Sequence, residues 1–448
     1  GNWAGAGGGM FNSAGRPSVT KCIFAGNFAT MGGGVYNSHS SPTLAFCDFR
    51  GNSVSSHVKE GPALGSGFGG GVYNEEASPI LTNCTFTGNS ADDYGGAVSN
   101  WKSSGTLVSC VFNSNRAGRG GGIWNNESSP RLTNCTFCRN LALHIDGSGG
   151  GVSNAGGSPV LTNCMFTGNV AKGPGGAMTN RLHGNAVLDM CVFSGNSAAD
   201  GGGMYSFQSS VRLSNCIFAG NSARRGGAIH AREDNNVWLT NCTLASNSAG
   251  NGNALACNSY HQWYPSKVQI TNCALWDRGN EIWNNDNSVI AISYSDIQGG
   301  WPARGNIDAD PCFAGPGHWD PNGTPNDPND DFWVHGDYHL KSQAGRWEPS
   351  ENFKFQITDS KLANGTWVQD EVTSPCIDTG DPVSPVGHEQ FPNGGIINMG
   401  AHGGIAEASK SYFGEPVCET IVAGDINGDC KVDFQDFMLL ALHWLQER

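Results

Sequence analysis

No stretch of eighteen apolar residues occurs in the chain, so no helix is expected to cross a bilayer. A basic stripe, a recognition helix and an RNA-reading motif are all missing, which leaves a phosphate backbone without a track and sets nucleic acid aside as a partner. Nucleophile elbow, phosphate loop and zinc-protease motifs are lacking too. The cysteine spacings make no zinc set, and no converging histidines accompany them. There is no signal peptide: the opening Gly1-Asn2-Trp3-Ala4-Gly5-Ala6-Gly7-Gly8-Gly9 reads as the interior of a repeat, which implies that an earlier segment carried the export signal. Basic residues are scarce, 25 Lys and Arg against 39 Asp and Glu, for a formal net charge of -14. The deficit is local, because residues 1–300 hold 16 acidic and 17 basic side chains whereas residues 301–448 hold 23 and 8.

Glycine is abundant, 65 in 448 residues, without the three-residue period of collagen. Its source is a repeated tight turn. Each unit reads approximately Gly-Gly-Gly/Ala-apolar-aromatic/polar-Asn, then Ser-Pro-x-Leu-Thr-Asn-Cys-x-Phe-x-Gly-Asn. One cysteine per unit falls at 22, 47, 84, 110, 135, 164, 191, 216, 242 and 273, a period near 25 that tolerates insertions. A second ladder follows at Asn27, Asn52, Asn89, Asn115, Asn140, Asn169, Asn196, Asn221 and Asn247, with Asn2 in the same phase one unit earlier.

Two short strands per unit are expected, such as Gly71-Val72-Tyr73-Asn74 and Leu81-Thr82-Asn83-Cys84-Thr85-Phe86, with a third in the variable corner before the next glycines. Strands this short bury no face alone, but coiling the chain and stacking turn on turn makes a continuous core. Alternation points Val35, Val72, Val98, Ile123, Val152, Met178, Met204 and Ile229 inward with most of the ladder Cys and Phe, and Thr85, Thr136 and Thr243 outward. The ladder asparagines are read as satisfying turn backbone; a ligand-binding row is the alternative. The ladder cysteines are read as small core residues. Cys312 with Cys376, and Cys418 with Cys430, are candidate bridges.

Phe24-x-x-Asn27, Phe49-x-x-Asn52 and Phe86-x-x-Asn89, alternating with Gly95-Gly96-Ala97, Gly175-Gly176-Ala177 and Gly226-Gly227-Ala228, resemble the repeats of the polymorphic outer membrane protein family. The resemblance covers residues 1–256 strongly and 257–300 weakly. It implies an all-β solenoid, a right-handed parallel β-helix, at a secreted or cell-surface location. That family's surface-anchoring β-barrel has no counterpart here.

From about residue 300 the period fails. Gly336-Asp337-Tyr338-His339-Leu340 and Ser374-Pro375-Cys376-Ile377-Asp378 resemble the closing coils of secreted β-helix proteins of planctomycete-type bacteria, and Asn398-Met399-Gly400-Ala401-His402-Gly403-Gly404 would finish the last coil. The expected organisation is thus a repetitive β-helix at 1–300, irregular closing coils and acidic loops at 301–415, and a terminal module at 416–448. In that module Asp425, Asn427, Asp429, Asp433 and Asp436 supply side-chain oxygens, and Lys431 a carbonyl, at the spacing Ca²⁺ demands. The loop resembles one dockerin type I repeat, with Cys430 where glycine is usual. A dockerin has two such repeats, so a cohesin-like partner, a calcium-stabilised cap and a cell-surface tether all remain open.

Two places could bind or act on a ligand. The corner enlarged after Asn52 and Asn140 carries His57, His144 and Asp146, with Asp92, Asp93, Arg116 and Arg119 at equivalent positions. The outward position beside the glycines holds Tyr36, Tyr73, Trp124, Tyr205 and His230, a row able to stack on sugar faces or simply to suit strands. Three classes of function follow: an extracellular structural or adhesive scaffold, self-assembling through open coil ends; a polysaccharide lyase or glycoside hydrolase; or a glycan-binding protein without chemistry. Whether the chain is an enzyme stays open, because a fold alone does not choose.

Overall fold

The computed structural model describes residues 1–56, 67–146, 148–259, 264–324, 331–350, 364–414, 424, 426 and 431–444. Four parallel sheets, here A to D, contain ten, eleven, eleven and eleven strands. Each strand pairs with its counterparts one coil before and one coil after.

A single coil shows why. Val72–Glu75 lies in sheet B, Ile80–Thr82 in sheet C, Thr85–Thr87 in sheet D and Ser90–Ala91 in sheet A. Val98–Trp101 then returns to sheet B beside Val72–Glu75. The corners are single residues with left-handed backbone: Glu76 at φ 47°, Asn83 at 51°, Gly88 at 63° and Gly95 at 67°. Glycine and asparagine accept that conformation most cheaply, which accounts for the corner glycines and for the corner asparagines Asn83, Asn134 and Asn163, whereas the ladder from Asn27 to Asn247 does not adopt it. The expected run from Leu81 to Phe86 is therefore two strands broken at Asn83. Asn83 and Asn134 occupy exposed corners rather than strands. Inside the glycine cluster the constraint is space: a Cβ on Gly70 would lie 2.4 Å from the carbonyl oxygens of both Gly96 and Ser90.

The interior is built of files. Phe24, Phe49, Phe86, Phe112, Phe137, Phe166, Phe193 and Phe218 stack at centroid distances of 4.4–5.0 Å. Each fully buried ring contributes about 1.5–3 kcal/mol by leaving water. The ladder thiols from Cys47 to Cys273 are buried and unbridged, as packing requires. Burial raises the pKa of the interior thiol of Cys257 to about 12, which keeps it protonated. Cys312 and Cys376 are also free, contrary to the expected bridge: Cys312 Sγ turns to the Asp310 carbonyl at 3.4 Å and Cys376 Sγ to Asp296 Oδ2 at 3.1 Å. Cys418 and Cys430 lie outside the described residues.

The asparagine file is structural. Asn140 Oδ1 accepts both the backbone N–H and the side-chain Nδ2 of Asn115, each at 3.0 Å, while Asn140 Nδ2 donates to the Phe112 carbonyl and to Asn169 Oδ1, each at 2.9 Å. The file ends where Asp277 Oδ1 accepts from Asn247 N at 2.6 Å.

After Ile297 the chain leaves the coil, and Trp301 packs on the end of the core. Among the described residues beyond it, Ile307 still bridges in parallel to Asp296, and no later strand joins the four coil sheets. Three two-stranded antiparallel ribbons form instead, and Phe313, Tyr338, Leu340, Met399, Ala401 and Ile405 pack on Val192, Ile217, Ala219, Ala245 and Ala274 of sheet D. Sheet D buries its outer face there, so Thr243 is covered, its hydroxyl accepting from Ala401 N at 2.9 Å.

The only helix among the described residues is Phe434–Trp444, so no EF-hand or dockerin-like helix pair is evident there. Asp425, Asn427 and Asp429 lie outside the described residues. Asp433 caps the helix, its Oδ1 accepting from Gln435 N at 2.7 Å, and Asp436 Oδ2 accepts from Asp433 N at 2.7 Å. This reciprocal pair is a capping box. Lys431 is exposed.

Candidate functional site

Side chains alternate along every strand of sheet B, so the second and fourth face outward. The parallel register keeps Tyr73, Ser99, Trp124, Ser153, Thr179 and Tyr205 in one outward row, and Glu75, Trp101, Asn126, Ala155, Arg181 and Phe207 in the next. Ser153 and Ala155 are small, and the surface dips at them. The residues just before the glycine corners form one wall, Phe68, Tyr94 and Arg119 bridging coil to coil, and Leu182 and Glu233 form the other. The result is an open groove with a cavity volume of about 930 Å³. From Trp101 to Arg232 it crosses five rung spacings, roughly 24 Å at ~4.8 Å each.

The groove takes in Trp124 and Tyr205, but as a floor, only 6% and 2% exposed. Tyr36 and Tyr73 fall outside it. They are buried in a stack running Phe11, Tyr36, Tyr73, Phe68 at 5.0–5.2 Å, and the Tyr36 hydroxyl donates to Glu75, so neither offers a free face. The accessible rings are half-buried Phe68, Tyr94, Trp101 and Phe207, which the sequence row did not include. Their signal was present, as an aromatic directly before the glycine corner in two successive units, Phe68-Gly69 and Tyr94-Gly95.

Charge in the groove runs against the chain's net acidity. Arg119, Arg181 and Arg232 line it, with Glu233 the only carboxylate among the lining residues. Arg232 Nε is 3.9 Å from Glu233 Oε1, and Arg119 Nη2 pairs with exposed Asp146 Oδ2 at 2.8 Å. Arg181 lies over the Tyr205 ring at 5.7 Å and has no carboxylate partner among the described residues. Its Nε is buried without a hydrogen bond. Burial raises the Tyr205 phenol's pKa, so the floor stays neutral. His230, next in the row, is fully buried, and burial lowers its pKa to about 4.

The enlarged corner forms a second, smaller hollow of about 570 Å³. His144 lines it with Asp92, Asp93 and Arg116; Asp146 belongs instead to the groove's edge through Arg119, and His57 lies outside the described residues. Asp92 Oδ2 holds Ser55 Oγ at 2.7 Å and Ser56 N at 3.0 Å, and Asp93 Oδ2 holds Gly67 N at 3.0 Å. These carboxylates anchor the chain on either side of the insertion. Elsewhere, the structure gathers His339, His402 and Glu407, where no convergence of histidines was legible in sequence.

Residues 3–187 match the family model described as a right-handed beta helix region. The part of the chain through Ile297 has the fold of a right-handed parallel β-helix. Residues 215–232 match the Chlamydia polymorphic membrane protein repeat, a single repeat's length within this β-helix. No curated protein and no solved structure matches the chain. No helix among the described residues is long and apolar enough to cross a membrane.

Proposed function

We propose that this β-helix is a secreted or cell-surface scaffold that binds an extended anionic glycan along the sheet B groove without cleaving it. The observation that carries the proposal is Arg181, a guanidinium without a carboxylate partner among the described residues, set over the Tyr205 ring in a groove also lined by Phe68, Tyr94, Trp101 and Phe207. Aromatic faces suit the apolar faces of sugar rings, and a guanidinium fork suits a carboxylate or sulfate. The linear shape of the groove, crossing six coils in register, suits a polymer rather than a compact metabolite.

Turnover fits less well. Hydrolysis calls for two carboxyl groups flanking the scissile bond, and the lining residues offer Glu233 alone. Elimination needs a base near neutrality, and the buried Tyr205 phenol is pushed away from that range. An array of uronic acid, sulfated and neutral polysaccharides tests the proposal. Binding confined to the anionic members, weakening with salt and strengthening with chain length, is expected. Release of unsaturated or reducing ends would replace it with an enzymatic function.

A further inference from the structure

His339 lies on the strand Asp337–Leu340, and His402 and Glu407 lie on the return segment that packs beside it. One ligand atom from each of the three falls within 4.8 Å of the others. All three residues are buried, Glu407 with no exposed surface. His339 Nδ1 is held by Asp337 Oδ1 at 2.6 Å, which leaves Nε2 facing Glu407 Oε2 at 3.7 Å, too far for a hydrogen bond. His402 Nδ1 is buried without a hydrogen-bond partner. The two imidazoles stack with centroids 3.6 Å apart and planes 21° apart, so one ring must turn before both nitrogens point at a single ion.

We infer that His339, His402 and Glu407 form a structural site for a divalent transition metal of the zinc class, which clamps the return segment to the ribbon on the flank of the β-helix. Two imidazoles and a carboxylate suit zinc or its neighbours, whereas Ca²⁺ takes oxygen donors. Donors about 2.0–2.2 Å from one tetrahedral ion stand roughly 3.3–3.6 Å apart, so loading draws the side chains together by about an ångström. The outer contacts are those of a metal site: a carboxylate orients the His339 ring through its second nitrogen. Asp337 is itself fixed by Arg346 Nη1 at 3.2 Å, and Arg346 Nε is shared with Asp370 at 3.2 Å. Arg346 Nη2 also lies 3.6 Å from Glu348 Oε1, so Asp337, Asp370 and Glu348 share one buried guanidinium. Burial of every donor leaves no route for a substrate, so the role is structural.

The test uses the full chain without a histidine tag. Metal content is measured by mass spectrometry after equilibration with zinc and gel filtration, and Co²⁺ is added in place of zinc to read its visible spectrum. Expected are one equivalent of metal per chain and a cobalt spectrum typical of tetrahedral nitrogen and oxygen ligation. His402→Gln and Glu407→Gln, checked for native circular dichroism, should each weaken binding by at least about 10- to 100-fold. Because those variants could fail to fold, X-ray absorption on the wild-type zinc form supplies an independent readout, with imidazole scattering expected. Wild-type chain that retains no transition metal, or metal retained equally by both variants, overturns the inference.

Discussion

Asn140→Ala probes what holds successive coils in register. The wild-type side chain makes four hydrogen bonds in a fully buried position. Truncation leaves the Asn115 backbone N–H and the Phe112 carbonyl without the partners that Asn140 supplied. Each buried unsatisfied group costs about 1–3 kcal/mol, so the expected loss is about 2–6 kcal/mol. Asn140→Asp should cost at least as much, because it removes the donor and places a carboxylate oxygen against the Phe112 carbonyl. Asn126→Ala, on the outward face of sheet B, serves as the control and should change stability by less than about 0.5 kcal/mol. Urea unfolding gives the global figure, and native-state hydrogen exchange localises it, since a solenoid can open coil by coil. Faster exchange centred on residues 112–141, with distant coils unchanged, is expected. Equal stability of Asn140→Ala and the control would refute the claim that the asparagine file carries inter-coil register.

Three further outcomes follow from particular contacts. Asp277 ends the asparagine file, and burial, reinforced by Glu281, raises its pKa well above the ordinary carboxylate range; Asp277→Asn should stabilise the chain at neutral pH by about 1–2 kcal/mol in thermal unfolding. Glu389 accepts from Asn398 N at 2.9 Å and Gly404 N at 2.8 Å, and burial raises its pKa to about 8. A carboxyl group with a raised folded pKa contributes stability that is complete below its unfolded value and is lost as pH climbs through the folded one. Stability should therefore fall between pH 4.5 and 8 by up to about 5 kcal/mol from this group, and Glu389→Gln should flatten that slope. Trp333 lies on the sheet D corner at Gly220, where a Cβ would come within 2.2 Å of its ring, whereas Gly51, with similar backbone, has open space. Gly51→Ala should cost only the left-handed penalty of about 1–2 kcal/mol, while Gly220→Ala should also expose residues 313–340 to limited proteolysis; equal proteolysis of the two would remove Trp333 from the docking contact.

The coil was legible because its chemistry repeats: one Cys, one Phe and one Asn per turn can be stacked only by coiling. Corner backbone was harder to see. Asn83 sits in an unbroken Leu-Thr-Asn-Cys-Thr-Phe run whose propensity is that of one strand, and only the left-handed corner reveals two. The groove was half legible. Trp124 and Tyr205 share its register, but accessibility depends on neighbours such as Phe68 and Tyr94, which reach over from sheet A across a corner whose direction no periodicity encodes. The flank was least legible, since His339 and His402 are 63 residues apart in irregular chain and meet only through packing on sheet D.

The most direct test of the central claim is calorimetric titration of a polyuronate into wild-type chain, Trp101→Ala and Arg181→Gln at low and high salt. Both positions face outward on sheet B, so the fold should tolerate the changes. The expected result is wild-type binding that weakens with salt, loss of about 1–3 kcal/mol on removing the charged partner Arg181, and a salt-insensitive loss at Trp101. Binding that neither substitution changes, or no binding to any anionic polymer, would contradict the assignment of the sheet B groove as a glycan site.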